Sequence, residues 1–128
     1  MLDHVGFKVT DFARAKAFYA AALAPLGHAL VMEITDAQTG GHGAHAGFGA
    51  GHPDFWIGTG RPAATGVHVA FRAKDRATVD AFHAAALAAG GRDNGAPGLR
   101  PHYHRDYYGA FVLDPDGNNV EAVCHDPA

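Results

Sequence analysis

Glu121 is the residue whose chemistry is hardest to explain as packing. It lies in Asn119–Cys124, a run of strand-forming residues in which a period of two puts Val120 and Ala122 on one face and Glu121 on the other. Burying a lone carboxylate is costly, so Glu121 must either reach solvent at a sheet edge or have a cationic partner. The chain has 10 histidines, and some of them could take part in metal or proton chemistry with such a carboxylate.

A second polar segment, residues 101–108, precedes this strand in the sequence PHYHRDYY. It brings histidine and tyrosine side chains together just before a predicted hairpin, where a loop could overhang a cavity. In that position His104 would be a candidate acid or base and Tyr108 a hydrogen-bonding phenol. The alternative is a polar surface loop whose tyrosines belong to the core.

Three further features each have two interpretations. Lys8 and Arg72 either bind an anionic substrate group or are solvated strand ends. The glycine- and histidine-rich segment at 40–45 is either a lid or metal-binding tract, or simply a flexible connection. Phe55 and Trp56 either line an apolar part of a pocket or belong to the core.

Composition indicates a small-molecule protein. Lys and Arg total 10 against 13 Asp and Glu, and without a basic run the chain gives no support for a nucleic-acid partner. No apolar stretch is long enough to span a bilayer, and the start MLDHVGF lacks the layout of a signal peptide. The single cysteine, Cys124, cannot form an internal disulfide and is interpreted as a small strand residue. A cytoplasmic location is the expectation.

Sliding the chain by 64 residues reveals an internal repeat. The segment HVGFK at 4–8 falls on HVAFR at 68–72. From His4 to Gly27, 13 of 24 residues are identical to their partners without a gap. The chain is therefore predicted to be a single domain, 1–128, made of two similar modules at about 1–60 and 65–128.

Each module reads as a strand, a helix and three further strands, which is an α+β fold. In the first strand, period-two alternation puts His4 on the face opposite Val5 and Phe7. The predicted elements in chain order are a strand at 2–9, a helix N-capped by Asp11 through Ala24, strands at 29–34, 44–48 and 55–58, a strand at 66–73, a helix N-capped by Asp75 through Ala89, a weak strand at 92–95, and a hairpin of 107–113 with 119–124.

This doubled βαβββ order resembles the vicinal oxygen chelate superfamily, which includes glyoxalase I, bleomycin-resistance proteins, fosfomycin-resistance thiol transferases and extradiol dioxygenases. The motifs that carry the resemblance are HVGFKVTD, GVHVAF and FVLDPDGNNVEAV, which open the first module, open the second and close the second. The resemblance covers nearly the whole chain. It implies that the two modules form a curved, cup-like mixed sheet with the helices outside, and that a metal lies where the two halves meet.

The same resemblance implies that His4, His68 and Glu121 are the metal ligands, because the family takes them from the first and last strands of each module. The repeat places Ile57, which cannot bind a metal, at the fourth position, 64 residues before Glu121. Two imidazoles and one carboxylate would form a facial triad with open positions for a chelating substrate, and they suit Fe, Mn, Ni or Zn. Metal-free members of the fold exist, so the alternative is that no metal is bound.

Two functions are consistent with this resemblance. The first is a metal-dependent lyase, thiol transferase or dioxygenase that acts on a small oxygenated molecule, with Glu121, His104 and Tyr108 as catalytic candidates. The second is a metal-free protein that binds and sequesters a drug-like molecule, as bleomycin-resistance proteins do. Modules of this family pair within a chain or between chains, so a homodimer is expected.

Overall fold

The computed structural model describes residues 1–128 and contains two helices and eight strands. In chain order the elements are β1 (Val5–Val9), α1 (Phe12–Leu23), a 3₁₀ turn (Ala24–Leu26), β2 (Ala29–Ile34), β3 (His45–Gly49), β4 (Phe55–Thr59), β5 (His68–Arg72), α2 (Arg76–Ala88), β6 (Arg92–Leu99), β7 (Tyr108–Leu113) and β8 (Asn119–Cys124). The order is βαβββ twice, and the predicted α+β fold of two tandem modules is confirmed.

Both helices begin at the aspartates predicted as N-caps. The Asp11 carboxylate accepts a hydrogen bond from the Arg14 amide at 3.1 Å, and the Asp75 carboxylate accepts one from the Thr78 amide at 2.7 Å. Each bond satisfies an amide that the helix itself leaves unpaired. The 3₁₀ turn after α1 ends at Gly27, whose φ of 78° lies in the left-handed region that favours glycine. Neither helix combines the length and hydropathy that crossing a membrane requires.

Each module folds its four strands into one sheet, with strand orders β1-β4-β3-β2 and β5-β8-β7-β6. The first strand of a module is parallel to the last, and the other neighbours are antiparallel. Parallel neighbours need a long connection, which the helix and the two intervening strands supply. As a result β8, which carries Glu121, lies in the sheet interior between β5 and β7.

The helix-covered faces of the two sheets share one hydrophobic core. Phe55 on β4 packs edge-on against Phe71 on β5, with ring centroids 5.2 Å apart. Fully buried residues from both modules belong to this cluster, among them Phe18, Tyr19, Phe48, Ile57, Phe82, Val112 and Val120. Both helices pack on this core-facing side of the sheets. Each helix therefore leaves the opposite face of its sheet uncovered. The two uncovered faces line separate cavities in one chain.

The largest differences in strand extent from the prediction are at β1 and β6. β1 begins at Val5, whereas alternation predicts a strand from residue 2. β6 runs from Arg92 to Leu99, longer than the predicted 92–95, although it contains Gly95, Pro97 and Gly98. Glycine and proline are poor strand formers, which is why the pattern is weak there, but β6 is an edge strand, where a missing amide and irregular pairing are tolerated.

Candidate functional site

The site forms around Glu121 on the uncovered face of the second sheet. Glu121 pairs with Ala70 of β5 on one side and with Phe111 of β7 on the other. It is only 1% exposed, so both carboxylate oxygens need partners. His68 Nε2 lies 2.9 Å from one oxygen, and the Tyr107 hydroxyl donates a hydrogen bond to the other. The cationic or hydrogen-bonding partner that the sequence requires is therefore supplied within the second module.

A glycine on β7, diagonally adjacent to Glu121, makes room for this arrangement. A Cβ at Gly109 would lie 3.1 Å from Cε1 of Tyr107 and 3.3 Å from Oε2 of Glu121. Those separations are tighter than most real Cβ contacts, so a side chain at this position would push the phenol or the carboxylate away. The absence of a side chain at Gly109 lets the Tyr107 ring approach Glu121.

Tyr107 is held as a neutral hydrogen-bond donor. Burial raises the pKa of its phenol well above the usual value, and the hydrogen bond to the Glu121 carboxylate and its negative charge raise it further. The phenol therefore keeps its proton throughout the physiological range and can donate to an oxygen atom. Tyr107 is half-buried, so its hydroxyl lies at the border between the protein and the cavity.

His104 lines the same cavity as Glu121, as the sequence predicts for a loop that overhangs the site. The cavity has a volume of about 440 Å³, and His68, Tyr103, Tyr107 and Phe111 also line it. His104 Nε2 lies 2.7 Å from Nδ1 of His125, and the two rings stack with centroids 4.9 Å apart. The His104 ring is also 5.3 Å from the ring of Tyr107. An imidazole pair thus reaches from the exposed surface to the phenol that contacts Glu121.

Tyr108 does not reach this cavity, which corrects its predicted place beside Glu121. Its hydroxyl donates a 2.7 Å hydrogen bond to Asp80 of α2, and its ring packs against the guanidinium of Arg76 at 5.2 Å. The phenol at the site is Tyr107, which the sequence pattern did not single out as a candidate. Strand alternation could have distinguished the two tyrosines. Tyr108 lies two residues before the buried, helix-facing Ala110 and is therefore on the same face of β7, which packs against α2.

His4 lies apart from His68 and Glu121. It precedes β1 and is exposed, and its Nδ1 is 2.7 Å from Asp3, a hydrogen bond that lowers the pKa of the Asp3 carboxyl. The cavity that His4 lines, of about 350 Å³, is bounded by His28 and the β5 residues 69–72, and it is a different cavity from the one beside Glu121. The predicted triad is therefore not assembled within one chain.

Trp56, and not Ile57, occupies the fourth ligand position. Ala70 pairs with Glu121 in the second sheet, and its repeat equivalent Gly6 pairs with Trp56 in the first. Gly47 of β3 pairs with Trp56 of β4, whereas its repeat equivalent Phe111 pairs with Glu121, one residue further along the chain than the offset predicts. The repeat offset therefore changes between the last two strands of each module. Ile57 instead faces the core and is fully buried. Trp56 supplies no fourth ligand either, because an indole does not bind a metal.

Two of the three predicted ligands fit a metal ion within one chain. The nitrogen of His68 and the oxygen of Glu121 lie 2.9 Å apart, so both can face one ion, and His/carboxylate donors suit divalent transition metals. No group of three or more His, Cys, Asp or Glu side chains is placed to hold a metal ion. A complete set of ligands would need a donor from outside the second module.

A family model and a solved structure both relate this chain to glyoxalase and bleomycin resistance proteins. A family model described as the Glyoxalase/Bleomycin resistance protein/Dioxygenase superfamily matches residues 1–122. A glyoxalase/bleomycin resistance protein from Albidiferax ferrireducens T118 is 32% identical, with a TM-score of 0.78 and coverage of 98% of this chain and 99% of that one.

More distant structures share the fold alone. A family enzyme from Burkholderia phytofirmans PsJN is 20% identical, with a TM-score of 0.70 and coverage of 97% of this chain and 98% of that one. Glyoxalase I from Zea mays is also 20% identical, with a TM-score of 0.69, and the match covers 99% of this chain but 45% of the maize chain. No curated protein matches the sequence.

Proposed function

The chain belongs to the glyoxalase/bleomycin resistance protein/dioxygenase superfamily, and on that premise we propose that it is a divalent-metal-dependent enzyme acting on a small oxygenated molecule. The observation that carries the proposal is the convergence of His68 and Glu121, at 2.9 Å, on the uncovered face of the second sheet. The reaction would be a lyase, thiol-transfer or dioxygenase reaction. A cytoplasmic location accompanies the proposal, supported by a lone buried thiol at Cys124.

A second copy of the chain would complete the site. His4 lies in another cavity of its own chain, and the two uncovered sheet faces do not meet within one chain. In a homodimer, His4 of one protomer would face His68 and Glu121 of its partner. The exposed apolar side chains of β2 support self-association, since Leu30, Val31 and Met32 are 39%, 37% and 46% exposed on consecutive positions of an edge strand.

The residues of the second module would each have a defined task in such a site. A bound divalent ion would act as a Lewis acid that polarises adjacent oxygens of a chelating substrate. Glu121 would accept a proton, since its carboxylate is held in a nearly solvent-free position. Tyr107, which stays protonated, would donate a hydrogen bond to a substrate oxygen. His104, hydrogen-bonded to His125 at the surface, would carry protons between the cavity and solvent.

Metal content tests the proposal. We expect about one equivalent of a transition metal per chain in protein purified without chelator, and loss of that metal in His68→Ala and Glu121→Ala. His83→Ala is the matched control, because His83 also pairs with a carboxylate, Asp93, at 2.9 Å but lies outside the site. This control should keep its metal. No metal above background in the parent, and no thermal shift on adding Mn(II), Fe(II), Ni(II) or Zn(II), would reject a metal enzyme.

Mixing two inactive chains tests the shared site. If His4 and His68 act across the dimer, refolding His4→Ala with His68→Ala restores about a quarter of the parental metal, because half of the dimers are mixed and each holds one intact site. If both ligands act within one chain, mixing restores none. Each variant refolded alone is the control.

A metal-free binding protein is the second candidate. Trp56 in place of the fourth ligand and the separation of His4 from His68 favour it, because both weaken a metal centre. In that case the two uncovered faces would form a crevice that sequesters a drug-like molecule. Absence of metal in the parent together with a stable dimer would support this function.

A further inference from the structure

The uncovered face of the first sheet holds a cavity that contains none of the three predicted metal ligands. In the proposed dimer this face would meet the second sheet of the partner, and to that extent the inference rests on the proposed function. It has a volume of about 250 Å³, and its polar lining comes from Lys8 of β1 and His45 of β3, with Trp56 of β4 beside them. The repeat equivalents of the last two residues are Gly109 and Glu121, so this face has a different chemistry from its counterpart. It carries an imidazole where the second sheet has Gly109 and an indole where the second sheet has Glu121, while Lys8 corresponds to Arg72, which is also a cation.

Gly58 on β4 and Gly60 just after it bring Lys8 and His45 together. A Cβ at Gly58 would lie 2.7 Å from Nδ1 of His45 and 3.4 Å from Nζ of Lys8, so both polar groups lie over the same missing side chain. The aliphatic part of Lys8 runs across Gly60, where a Cβ would lie 3.0 Å from Cγ and Cδ. The lysine is therefore packed along the strand, with its ammonium beside the imidazole.

The indole of Trp56 is seated in a similar way. A Cβ at Gly47 would lie 2.9 Å from both Cζ2 and Cη2 of the indole, and one at Gly6 would lie 3.0 Å from Cβ of Trp56. The ring thus lies close to the backbone of the sheet, and it is only half-buried. A flat apolar surface adjoins the two polar groups.

The charge around Lys8 is not balanced by the protein. Lys8 has no acidic partner within ion-pair distance, in contrast to Lys16, whose Nζ lies 2.6 Å from Glu33. No carboxylate lines the cavity. The His45 imidazole has no hydrogen-bond partner, and an imidazole can donate an N–H in either protonation state. The cavity therefore offers two donors, one of them cationic, to a group that the chain does not contain.

We propose that Lys8 and His45 bind the anionic group of a small planar molecule whose apolar body packs against Trp56. A carboxylate fits the two adjacent donors, because it accepts hydrogen bonds at both oxygens and neutralises the ammonium. An aromatic or conjugated body fits the indole face. The ligand class is thus an aromatic carboxylate or a closely similar anion, and the assignment does not depend on a bound metal.

Tryptophan fluorescence tests this directly, because Trp56 is the only tryptophan in the chain. Chelator-treated protein is titrated with benzoate and, separately, with benzamide, a neutral molecule of the same shape. We expect a saturable change with benzoate, and a dissociation constant for benzamide at least about fivefold higher, from the loss of one charge-assisted contact. The benzoate affinity should fall as salt is added.

Two variants and two controls localise the binding. Lys8→Gln removes the charge and Gly58→Ala displaces the imidazole, and each should raise the dissociation constant for benzoate at least about fivefold. Lys74→Gln makes the same charge change outside the cavity and should bind as the parent does. Asp93→Asn removes a carboxylate outside the cavity and should also bind as the parent does. Because the titration uses chelator-treated protein, a failed metal site leaves this result intact. Equal affinities for benzoate and benzamide, or unchanged affinity in Lys8→Gln, would overturn the proposal.

Discussion

The hydroxyl of Tyr19 donates a 2.6 Å hydrogen bond to the carboxylate of Asp114, 95 residues later in the sequence. Tyr19 lies on α1 of the first module, Asp114 lies in the β7–β8 connection of the second, and both are almost fully buried. Asp114 also accepts hydrogen bonds from the Asn118 amide at 2.8 Å and from the Asp116 amide at 2.9 Å. One carboxylate thus shapes the hairpin that leads into β8 and connects the two modules through the core.

Tyr19→Phe should therefore lower the free energy of unfolding by about 1.5–3 kcal/mol, which is typical of a buried hydrogen bond to a charged group. The ring keeps its packing, so the loss reports the hydroxyl alone. Urea denaturation at neutral pH measures it. Tyr103→Phe is the control, because Tyr103 is 58% exposed, and a similar loss in that variant would contradict the explanation.

Alkaline pH should destabilise the protein through the same residue. Burial raises the pKa of the Tyr19 phenol well above its usual value, and the charges of Asp114 and Asp116 together with the Asp114 hydrogen bond raise it further. Above about pH 10 the unfolded chain loses the phenolic proton while the folded chain retains it, so stability falls as pH rises. Urea midpoints measured from pH 8 upwards should decline less steeply in Tyr19→Phe. Parallel declines in the two proteins would show that another group controls alkaline stability.

Glu121→Leu should leave the unfolding free energy unchanged or raise it by about 1–2 kcal/mol, because a buried carboxylate is replaced by an apolar side chain. Neither partner is left buried and unpaired, since the His68 side chain is 53% exposed and Tyr107 reaches the cavity. Urea denaturation of metal-free protein provides the measurement, with Glu33→Leu on β2 as an exposed control. A loss above about 1 kcal/mol would indicate that Glu121 stabilises the sheet and is not retained for function.

Gly91→Ala should cost about 1–3 kcal/mol, because the core at this point has no space for a methyl group. A Cβ there would lie 2.5 Å from Cγ1 of Val112 and 2.8 Å from Cε1 of Phe18, which belong to different modules. Gly98→Ala is the matched control, since the nearest atom to its Cβ would be the end of the flexible Arg100 side chain at 3.1 Å. Thermal unfolding of the two variants separates them, and equal midpoints would show that the module interface is loosely packed.

Much of the fold follows from local patterns. The repeat of His4–Gly27, the N-caps Asp11 and Asp75, and the alternation in Asn119–Cys124 predict the doubled βαβββ order that the structure confirms. These signals are local because capping and strand alternation depend on a few neighbouring residues. Alternation also indicates that Glu121 lies opposite the core-facing residues of β8 and needs a partner.

The tertiary structure decided which residues surround Glu121. A fixed repeat offset cannot detect the one-residue difference in pairing register between β3–β4 and β7–β8. Only strand pairing shows that Trp56, and not Ile57, is the counterpart of Glu121. Alternation along β7 could have separated Tyr107 from Tyr108, but the contact of Tyr107 with Glu121 depends on how the preceding loop crosses the sheet. The separation of His4 from His68 was also decided by the tertiary structure. It depends on how two sheets pack around a shared core, and that packing is set by the sum of many long-range apolar contacts that no local pattern records.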